Sequence, residues 1–284
     1  MSTTLIFTTS DNPVSGKHTL LSQHFPSTLL ATTVILMTFL TVASALPTQQ
    51  LQIAPRISHD SVHSTNWSGY AVTGSTGSVT DAKGSWIVPA IQGACSATNQ
   101  YSSFWVGIDG YNSGTVEQTG TDSDCQNSVP TYYAWYEFYP HPSFILSGLT
   151  IHPGDKISAE AHFSGRSFIV TITDTTTGQS ASKSARVNSA QRSSAEWIAE
   201  APSSSGGVLP LADFGTASLG TDNTGIASTC YATISGTTGP IGSFNTANIH
   251  QITMVTSGGA TKASPSALSS DGTSFTVKWV SSGP

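Results

Sequence analysis

The chain contains 284 residues, 9% of them charged, and its formal net charge at pH 7 is −6. A chain of this length can bury one large hydrophobic core or two modest ones, and its composition excludes a fibrous or wholly disordered protein. The ten Lys and Arg residues form no cluster along the sequence, which excludes the basic surface that nucleic-acid-binding proteins present.

The first 45 residues are typical of an export signal. No charged residue occurs from Ser27 to Ala45, and this apolar run ends in the small residues Ala43, Ser44 and Ala45 that signal peptidase accepts. We therefore expect cleavage after Ala45 and a secreted protein without membrane contact, with an uncleaved membrane anchor as the alternative. Residues 46–64 are polar and lack periodicity, which favours a short propeptide or linker.

The remaining residues, 65–284, have the pattern of one all-β domain. Short runs of β-branched and aromatic residues alternate with polar residues and are separated by Gly, Ser, Thr and Asn. A short helix is expected only around Ser184–Ser194. Strands are predicted over Asn66–Val72, Val79–Val88, Tyr101–Asp109, Thr115–Gly120, Tyr132–Pro140, Ile157–Phe163, Phe168–Thr173, Ala195–Pro202, Ile249–Val255 and Phe275–Val280.

Several of these strands carry different residues on their two faces. In Tyr101–Asp109, the apolar residues Phe104, Val106 and Ile108 lie on one face of the strand, and Trp105 lies on the other face. In the aromatic run Tyr132–Pro140 one acid, Glu137, projects from the face that also carries Trp135. One face of each strand is therefore expected to pack on a second sheet and the other to line a groove, which predicts a two-layer antiparallel β-sandwich.

Three cysteines, Cys95, Cys125 and Cys230, lie beyond the signal. In an exported protein two of them are expected to pair, and we predict Cys95 with Cys125 because both flank the same block of strands. Cys230 would then be free. The spacing of Cys and His indicates no metal site, since neither Cys-x-x-Cys nor His-Glu-x-x-His occurs.

Glu137 is the acid best placed for acid–base catalysis, and the side-chain amide of Gln118 is an unusual partner for this carboxyl group. A carboxylate among aromatic rings loses hydration, which raises its pKa toward a value that suits acid–base catalysis. A solvated strand position for Glu137 is the alternative. The sequence lacks a Gly-x-Ser-x-Gly elbow and paired Asp-Thr-Gly or Asp-Ser-Gly loops, which argues against serine and aspartic peptidases.

Three motifs in the chain resemble the glutamic peptidases, also called eqolisins. They are Phe-Trp-Val-Gly-Ile-Asp-Gly at Phe104–Gly110, Glu-Gln-Thr-Gly at Glu117–Gly120 and Ala-Trp-Tyr-Glu-Phe-Tyr-Pro at Ala134–Pro140. The resemblance extends from about Asn66 to Val280. It implies two curved antiparallel sheets, concanavalin- or jelly-roll-like, with a concave substrate cleft, and a secreted acid endopeptidase that needs no metal or cofactor.

The same resemblance assigns roles to six residues. The family's catalytic Gln and Glu correspond to Gln118 and Glu137. Polypeptides are the expected partners, and we expect a monomer. The residues expected along or beside the cleft are Trp67, Trp105, Asp109 and Asp122, although a core position is as good an interpretation of the two Trp residues.

The two proposed catalytic side chains suggest a mechanism for acidic conditions. Ionised Glu137 would take a proton from water as that water attacks the scissile carbonyl, and would return a proton to the leaving amine. Gln118 would donate to the oxygen that becomes negative. An amide does not titrate, so this donor is retained at a pH at which His would be protonated.

Two other classes of protein remain open. A β-sandwich glycoside hydrolase would also hold carboxylates in a Trp-lined cleft, and retaining chemistry requires two carboxyl groups about 5 Å apart. Strand alternation turns Glu117 away from the face of Gln118, which leaves Asp109 as the second carboxyl for Glu137. The other alternative is a carbohydrate-binding sandwich without catalytic activity, which a nearly neutral surface rich in Ser and Thr would fit.

Overall fold

The computed structural model describes residues 63–283. The predicted signal peptide, residues 1–45, and most of the predicted propeptide or linker, residues 46–64, lie outside the described residues. Both assignments stay predictions. Within residues 63–283, no helix is long and apolar enough to cross a membrane.

The described residues form β-strands with very little helix, as predicted. The helical elements are α1 (Thr221–Thr224) and two 3₁₀ turns, Ile241–Ser243 and Thr246–Asn248. The strands are β1 (His63–Ser64), β2 (Trp67–Thr73), β3 (Val79–Ile87), β4 (Ser103–Ile108), β5 (Val116–Gln126), β6 (Val129–Tyr139), β7 (Phe144–Ile145), β8 (Lys156–Ser164), β9 (Ser167–Asp174), β10 (Gln179–Ala185), β11 (Ser194–Glu200), β12 (Ser203–Ser204), β13 (Gly207–Val208), β14 (Thr216–Gly220), β15 (Tyr231–Ile234), β16 (Thr237–Pro240), β17 (Ile249–Val255), β18 (Thr261–Pro265) and β19 (Ser274–Trp279).

Backbone hydrogen bonds arrange most of these strands in two antiparallel sheets. The first sheet has the order β17-β2-β11-β4-β5-β6-β7. The second has the order β10-β9-β8-β3-β14-β19-β18, and the hairpin β15–β16 also bonds to β3. Because β17 bonds to both β2 and β18, it joins the two sheets along one edge.

The main hydrophobic core lies between the two sheets, which confirms the predicted β-sandwich. The indole of Trp86 on β3 donates a hydrogen bond of 2.9 Å to Thr121 Oγ1 on β5 and so links the layers within the core. Buried residues from both sheets form one cluster, among them Val72, Phe104, Val106, Ile108, Ala134 and Trp197 of the first sheet and Val79, Ala82, Ala161, Phe168, Ile172 and Leu219 of the second.

A second, smaller cluster covers the opposite face of the first sheet, which we call the Trp face. Side-chain alternation explains the division, because Phe104 and Val106 enter the main core while Trp105 between them joins this second cluster. The predicted two-faced character of this strand is therefore confirmed. The buried members of the cluster are Trp67, Ala71, Trp105, Val116, Trp135, Ile198 and Ile252.

The helix predicted around Ser184–Ser194 is wrong. Strand β10 continues to Ala185 and pairs with β9, and the following residues form no regular element before β11 begins. Alternating Ser and Ala side chains suit an edge strand of this kind, since neither face of β10 needs to be strongly apolar. In the loop that follows, Arg192 has a φ of +50°, which a helix cannot accommodate.

The polar strands also differ from the prediction. The strand expected over Thr115–Gly120 continues to Gln126, and the strands Thr216–Gly220 and Tyr231–Ile234 were not predicted. Their Ser, Thr and Gly residues resemble a loop in sequence. In the sandwich the small polar side chains in the second half of β5 bond to buried partners, as Thr121 and Ser123 do.

Candidate active site

The structure brings Gln118 and Glu137 together on neighbouring strands of the first sheet. The two residues are directly opposite each other in the register of β5 and β6. Gln118 Nε2 donates a hydrogen bond of 2.7 Å to Glu137 Oε2. Both side chains are buried. The two residues that the sequence analysis singled out together are therefore adjacent in the structure. Their catalytic role stays a prediction.

The hairpin formed by β5 and β6 sets this register. Its two central turn residues, Asn127 and Ser128, have φ values of +53° and +63°. Positive φ at both central residues defines the tight turn whose twist matches that of antiparallel strands. Eleven pairs of residues follow from this turn along the two strands. Gln118 and Glu137 form the ninth of these pairs, toward the end of the hairpin that is far from the turn.

Two glycines leave space for the side chains around this pair. Gly107 on β4 is in register with Gln118, and a Cβ there would lie 3.0 Å from the Cβ of Gln118 and 3.1 Å from the ring of Trp105. Gly120 is in register with Trp105 and Trp135, and a Cβ there would lie 2.4 Å from the backbone oxygen of Phe104. The two positions therefore need glycine for close packing rather than for a turn.

Trp67 and Trp105, both expected near the cleft, pack against each other on the Trp face. Their ring centroids are 4.9 Å apart in an edge-to-face arrangement. Trp105 Nε1 donates a 2.8 Å hydrogen bond to Glu200 Oε2, and Asn66 Nδ2 donates a 3.0 Å hydrogen bond to Glu200 Oε1. Glu200 thus fixes the position of the Trp105 ring. Substrate contact by either Trp residue stays a prediction.

Asp122 is held by two aromatic side chains. Its carboxylate accepts hydrogen bonds from Trp135 Nε1 at 2.6 Å and from the hydroxyl of Tyr133 at 2.8 Å. The same hydroxyl also lies 3.0 Å from Asp124 Oδ2. Burial raises the pKa of Asp122 to about 6, against the opposing effect of its hydrogen bonds. Asp122 therefore fixes the orientation of Trp135 and Tyr133 on the Trp face.

Asp109 has a structural contact with the loop that enters β11. Its carboxylate accepts hydrogen bonds from the backbone N–H groups of Arg192 at 2.6 Å and Ser193 at 2.9 Å. Asp109 itself has a φ of +72° at the end of β4. These hydrogen bonds satisfy the buried carboxylate of Asp109. The role in substrate binding that was expected for Asp109 stays a prediction.

Other buried carboxyl groups surround the site. Glu196 is in register with Gly107, and so in the same row of side chains as Gln118. Burial raises the pKa of Glu196 well above its usual value. It also raises that of Glu200, with the negative charge of Glu137 as a further cause. The sequence signal for both residues was the pair of acids on one face of Ala195–Pro202.

Glu117 lies on the other face of β5, as alternation predicted. Burial raises its pKa to about 9, and the charge of Asp109 adds to this effect. Within residues 63–283 the ion pairs are His152–Asp155 and His162–Asp81, so no Lys or Arg of this region neutralises the buried acids of the first sheet. Burial therefore favours the protonated form of Glu117, Glu196 and Glu200, whose pKa values are raised.

The predicted disulfide is present. Cys95 and Cys125 are bonded, with an S–S distance of 2.02 Å. Cys230 is free, as expected, and it is buried. The bond attaches the segment before β4 to the end of β5. In the described region, one group of possible metal ligands occurs, Asp81, Glu160 and His162, and it lies on the second sheet rather than beside Glu137.

The structure is a β-sandwich in which a buried carboxyl group accepts a hydrogen bond from a carboxamide on the adjacent strand. The peptidase A4 family matches residues 65–279. The chain therefore belongs to the peptidase A4 family, and the resemblance seen in the sequence is confirmed. This membership does not favour the glycoside hydrolase or the carbohydrate-binding alternative.

Two curated proteins illustrate the similarity. The chain is 31% identical to aspergillopepsin-2 of Aspergillus niger over 176 residues, which cover 54% of this chain and 62% of that protein. It is 39% identical to scytalidopepsin B of Scytalidium lignicola over 140 residues, which cover 48% of this chain and 51% of that protein. The matches therefore span between half and two thirds of these relatives.

Solved structures agree with the fold. A crystal structure of scytalido-glutamic peptidase with a transition state analog inhibitor has a TM-score of 0.61 and 27% identity, covering 76% of this chain and 98% of that chain. Aspergilloglutamic peptidase from Aspergillus niger has a TM-score of 0.52 and 29% identity, covering 64% of this chain and 99% of that chain.

Proposed function

We propose that this protein is a secreted acid endopeptidase in which Gln118 and Glu137 catalyse hydrolysis of peptide bonds in polypeptide substrates. The observation that carries the proposal is the 2.7 Å hydrogen bond between these two buried side chains. Membership of the peptidase A4 family supports the reaction type. The signal predicted over residues 1–45 supports secretion.

Glu137 acts first as a base and then as an acid. Its ionised carboxylate takes a proton from a water molecule, whose oxygen bonds to the carbonyl carbon of the scissile peptide. The resulting tetrahedral intermediate carries a negative charge on the former carbonyl oxygen. Glu137 then gives its proton to the nitrogen of the leaving amine, the C–N bond breaks, and the carboxylate is ionised again for the next cycle.

Gln118 supplies the donor for the negative oxygen. One N–H of its carboxamide donates to Glu137, and the second N–H is available to the oxyanion. Its Oε1 is buried and has no hydrogen-bond partner among residues 63–283, so it can accept from the attacking water. A single neutral side chain can therefore position the nucleophile and stabilise the intermediate.

The surrounding acids favour this reaction at low pH. Glu196 and Glu200 have raised pKa values because they are buried, so at acidic pH both are uncharged. Glu137 can then carry the one negative charge of the site without repulsion from them. At higher pH, ionisation of these neighbours would oppose the ionised form of Glu137.

A digestion assay tests the proposal. The secreted protein is incubated with a denatured protein from about pH 2 to about pH 7, with and without pepstatin and a metal chelator, because a Glu–Gln pair needs neither an aspartic dyad nor a metal. We expect cleavage in acid that resists both inhibitors and is lost in Glu137→Gln. Gln126→Ala, a substitution on the same strand as Gln118, is the control that should retain cleavage.

Two results would refute this function. One is a folded Glu137→Gln variant that digests the substrate at the rate of the unmodified protein. The other is inhibition by pepstatin or by the chelator, which would assign the activity to a different catalytic group.

A further inference from the structure

We propose that Asp81, Glu160 and His162 form a binding site for a divalent transition metal, with Zn²⁺ as the best-fitting ion. One ligand atom from each of the three residues lies within 4.8 Å of the other two. The site is on the second sheet, on the face turned away from the main core, and is separate from the Gln118–Glu137 pair.

Paired strands bring the three ligands together. Asp81 on β3 is directly opposite His162 on β8 in the antiparallel register. Glu160 precedes His162 by two residues, so the two side chains project from the same face of β8. Between them, Ala161 points into the main core. The backbone of both strands is therefore fixed by sheet hydrogen bonds and core packing, which is the support a metal site needs.

The spacing of the ligand atoms is close to the spacing that a tetrahedral ion requires. Zn²⁺ bonds to His nitrogen and carboxylate oxygen at about 2.0 to 2.2 Å, which places the ligand atoms about 3.4 Å from one another. His162 Nδ1 and Asp81 Oδ2 are now 2.8 Å apart and form a hydrogen bond. Metal binding therefore requires side-chain rotations that open this contact and bring in Glu160.

The ligand set distinguishes Zn²⁺ from hard cations. Ca²⁺ and Mg²⁺ prefer six or more oxygen ligands, whereas imidazole nitrogen with carboxylate oxygen suits Zn²⁺ and its neighbours in the first transition row. The side chain of His162 is 45% exposed and that of Asp81 is 19% exposed. Solvent can therefore reach the site, and water can take the fourth position of a three-ligand zinc centre.

The local charges also fit a cation. Ionised Asp81 and Glu160 together carry two negative charges, which a divalent ion would balance. The nearest Lys in the register is Lys83, opposite Glu160, and in the described part of the chain it forms no ion pair with either acid. Lys83 is the positive group with which the metal would compete.

Zinc at this position would connect two strands at the centre of the second sheet. Because an ion that binds only the folded protein shifts unfolding by mass action, the melting temperature should rise with Zn²⁺ concentration. The peptidase reaction proposed above does not involve these residues. Metal binding can therefore be confirmed or refuted independently of the proposed peptidase activity.

The test is equilibrium dialysis of the full chain against Zn²⁺ near neutral pH, where imidazole is deprotonated, with bound metal measured by mass spectrometry. We compare the unmodified protein with His162→Gln and with Glu160→Gln. His152→Gln is the matched control, because His152 also lies near an aspartate, Asp155 at 3.6 Å, but belongs to no three-ligand group.

We expect both ligand variants to bind one Zn²⁺ fewer than the unmodified protein and to lose the zinc-dependent rise in melting temperature. The control should keep both properties, and Ca²⁺ should not replace Zn²⁺. Equal zinc content in all four proteins would overturn the proposal, as would Ca²⁺ binding that matches Zn²⁺ binding. Two ligand variants are included so that the result does not depend on the folding of one.

Discussion

At the scale of single residues, a carboxyl group and a carboxamide take different parts of the proposed reaction because only the carboxyl group titrates. The 2.7 Å contact fixes Gln118 relative to Glu137 before any substrate binds. A preorganised donor does not have to reorient as charge develops on the substrate oxygen. The neutral amide keeps this ability at every pH at which the protein is folded.

The hydrogen bond from Trp105 to Glu200 gives a residue-scale prediction. Trp105→Phe removes the indole donor and leaves a buried carboxyl oxygen without its 2.8 Å partner. We expect a loss of about 1 to 3 kcal/mol in the free energy of unfolding, the usual cost of a buried polar group that loses its partner. Urea denaturation at acidic pH measures it.

Trp279→Phe is the control for that substitution. Its indole makes a contact of 3.5 Å to the backbone oxygen of Leu211, and the residue is only partly buried. The loss should be smaller than for Trp105→Phe. If the two variants lose the same free energy, the hydrogen bond to Glu200 does not stabilise the Trp face.

At the scale of elements, the hairpin β5–β6 determines the site because its turn sets which residues are opposite each other. A shift of the register by one position would turn Gln118 toward the main core and separate it from Glu137. The neighbouring strand β4 must also lie close to β5, and Gly120 permits this approach.

Gly120→Ala tests the close approach of β4 and β5. The added methyl group would lie 2.4 Å from the backbone oxygen of Phe104 and 2.7 Å from the Cβ of Trp105, so a strand must move. We expect a loss of about 1 to 3 kcal/mol in stability, typical of overpacking, and lower peptidase activity. Gly114→Ala, where a Cβ would meet no atom within 4 Å, should change neither. Equal behaviour of the two variants would contradict the packing argument.

Elements were predictable from sequence where one face is strongly apolar. Alternation placed Phe104 in the core and Trp105 on the opposite face, and both positions are confirmed. Strands rich in Ser, Thr and Gly, such as β14, gave no such signal, since their small side chains resemble those of a loop until the pairing of the strand is known. The pairing of Gln118 with Glu137 required knowledge of strand register, which the family resemblance supplied.

The cluster on the second sheet could not be predicted from motifs. Asp81 lies about 80 positions before Glu160 and His162 in the sequence, and only the pairing of β3 with β8 makes them neighbours. Metal motifs with short spacing detect ligands that share one turn or helix. Ligands that meet through antiparallel strands have no fixed spacing.

At the scale of the whole molecule, buried acids without basic partners couple folding to pH. Burial raises the pKa of Asp122 from 3.8 to about 6 and that of Glu117 from 4.5 to about 9. Between the unfolded and folded pKa values the folded state binds more protons, so stability falls as pH rises. The stabilisation is complete below about pH 4 and is lost progressively up to the folded pKa values.

The expected stability profile is therefore that of a protein adapted to acid. The raised pKa values of the buried acids predict a loss of stability on the order of a few kcal/mol between acidic and neutral pH. Calorimetric melting temperatures across this range measure the trend. Glu117→Gln, which imitates the protonated acid, should flatten the curve, whereas Asp222→Asn at an exposed position should not. A melting temperature that rises toward neutral pH would contradict the account.

The most direct test of the central claim is kcat/KM of purified Gln118→Ala for a peptide substrate at acidic pH, beside the unmodified protein and Gln126→Ala. Loss of one oxyanion donor predicts a decrease of about 10²- to 10³-fold in kcat/KM for Gln118→Ala, measured under conditions in which its unfolding curve shows that the variant is folded. Gln126→Ala should retain normal kinetics. A folded Gln118→Ala protein that keeps the kcat/KM of the unmodified enzyme would contradict the assignment of Gln118 and Glu137 as the catalytic pair.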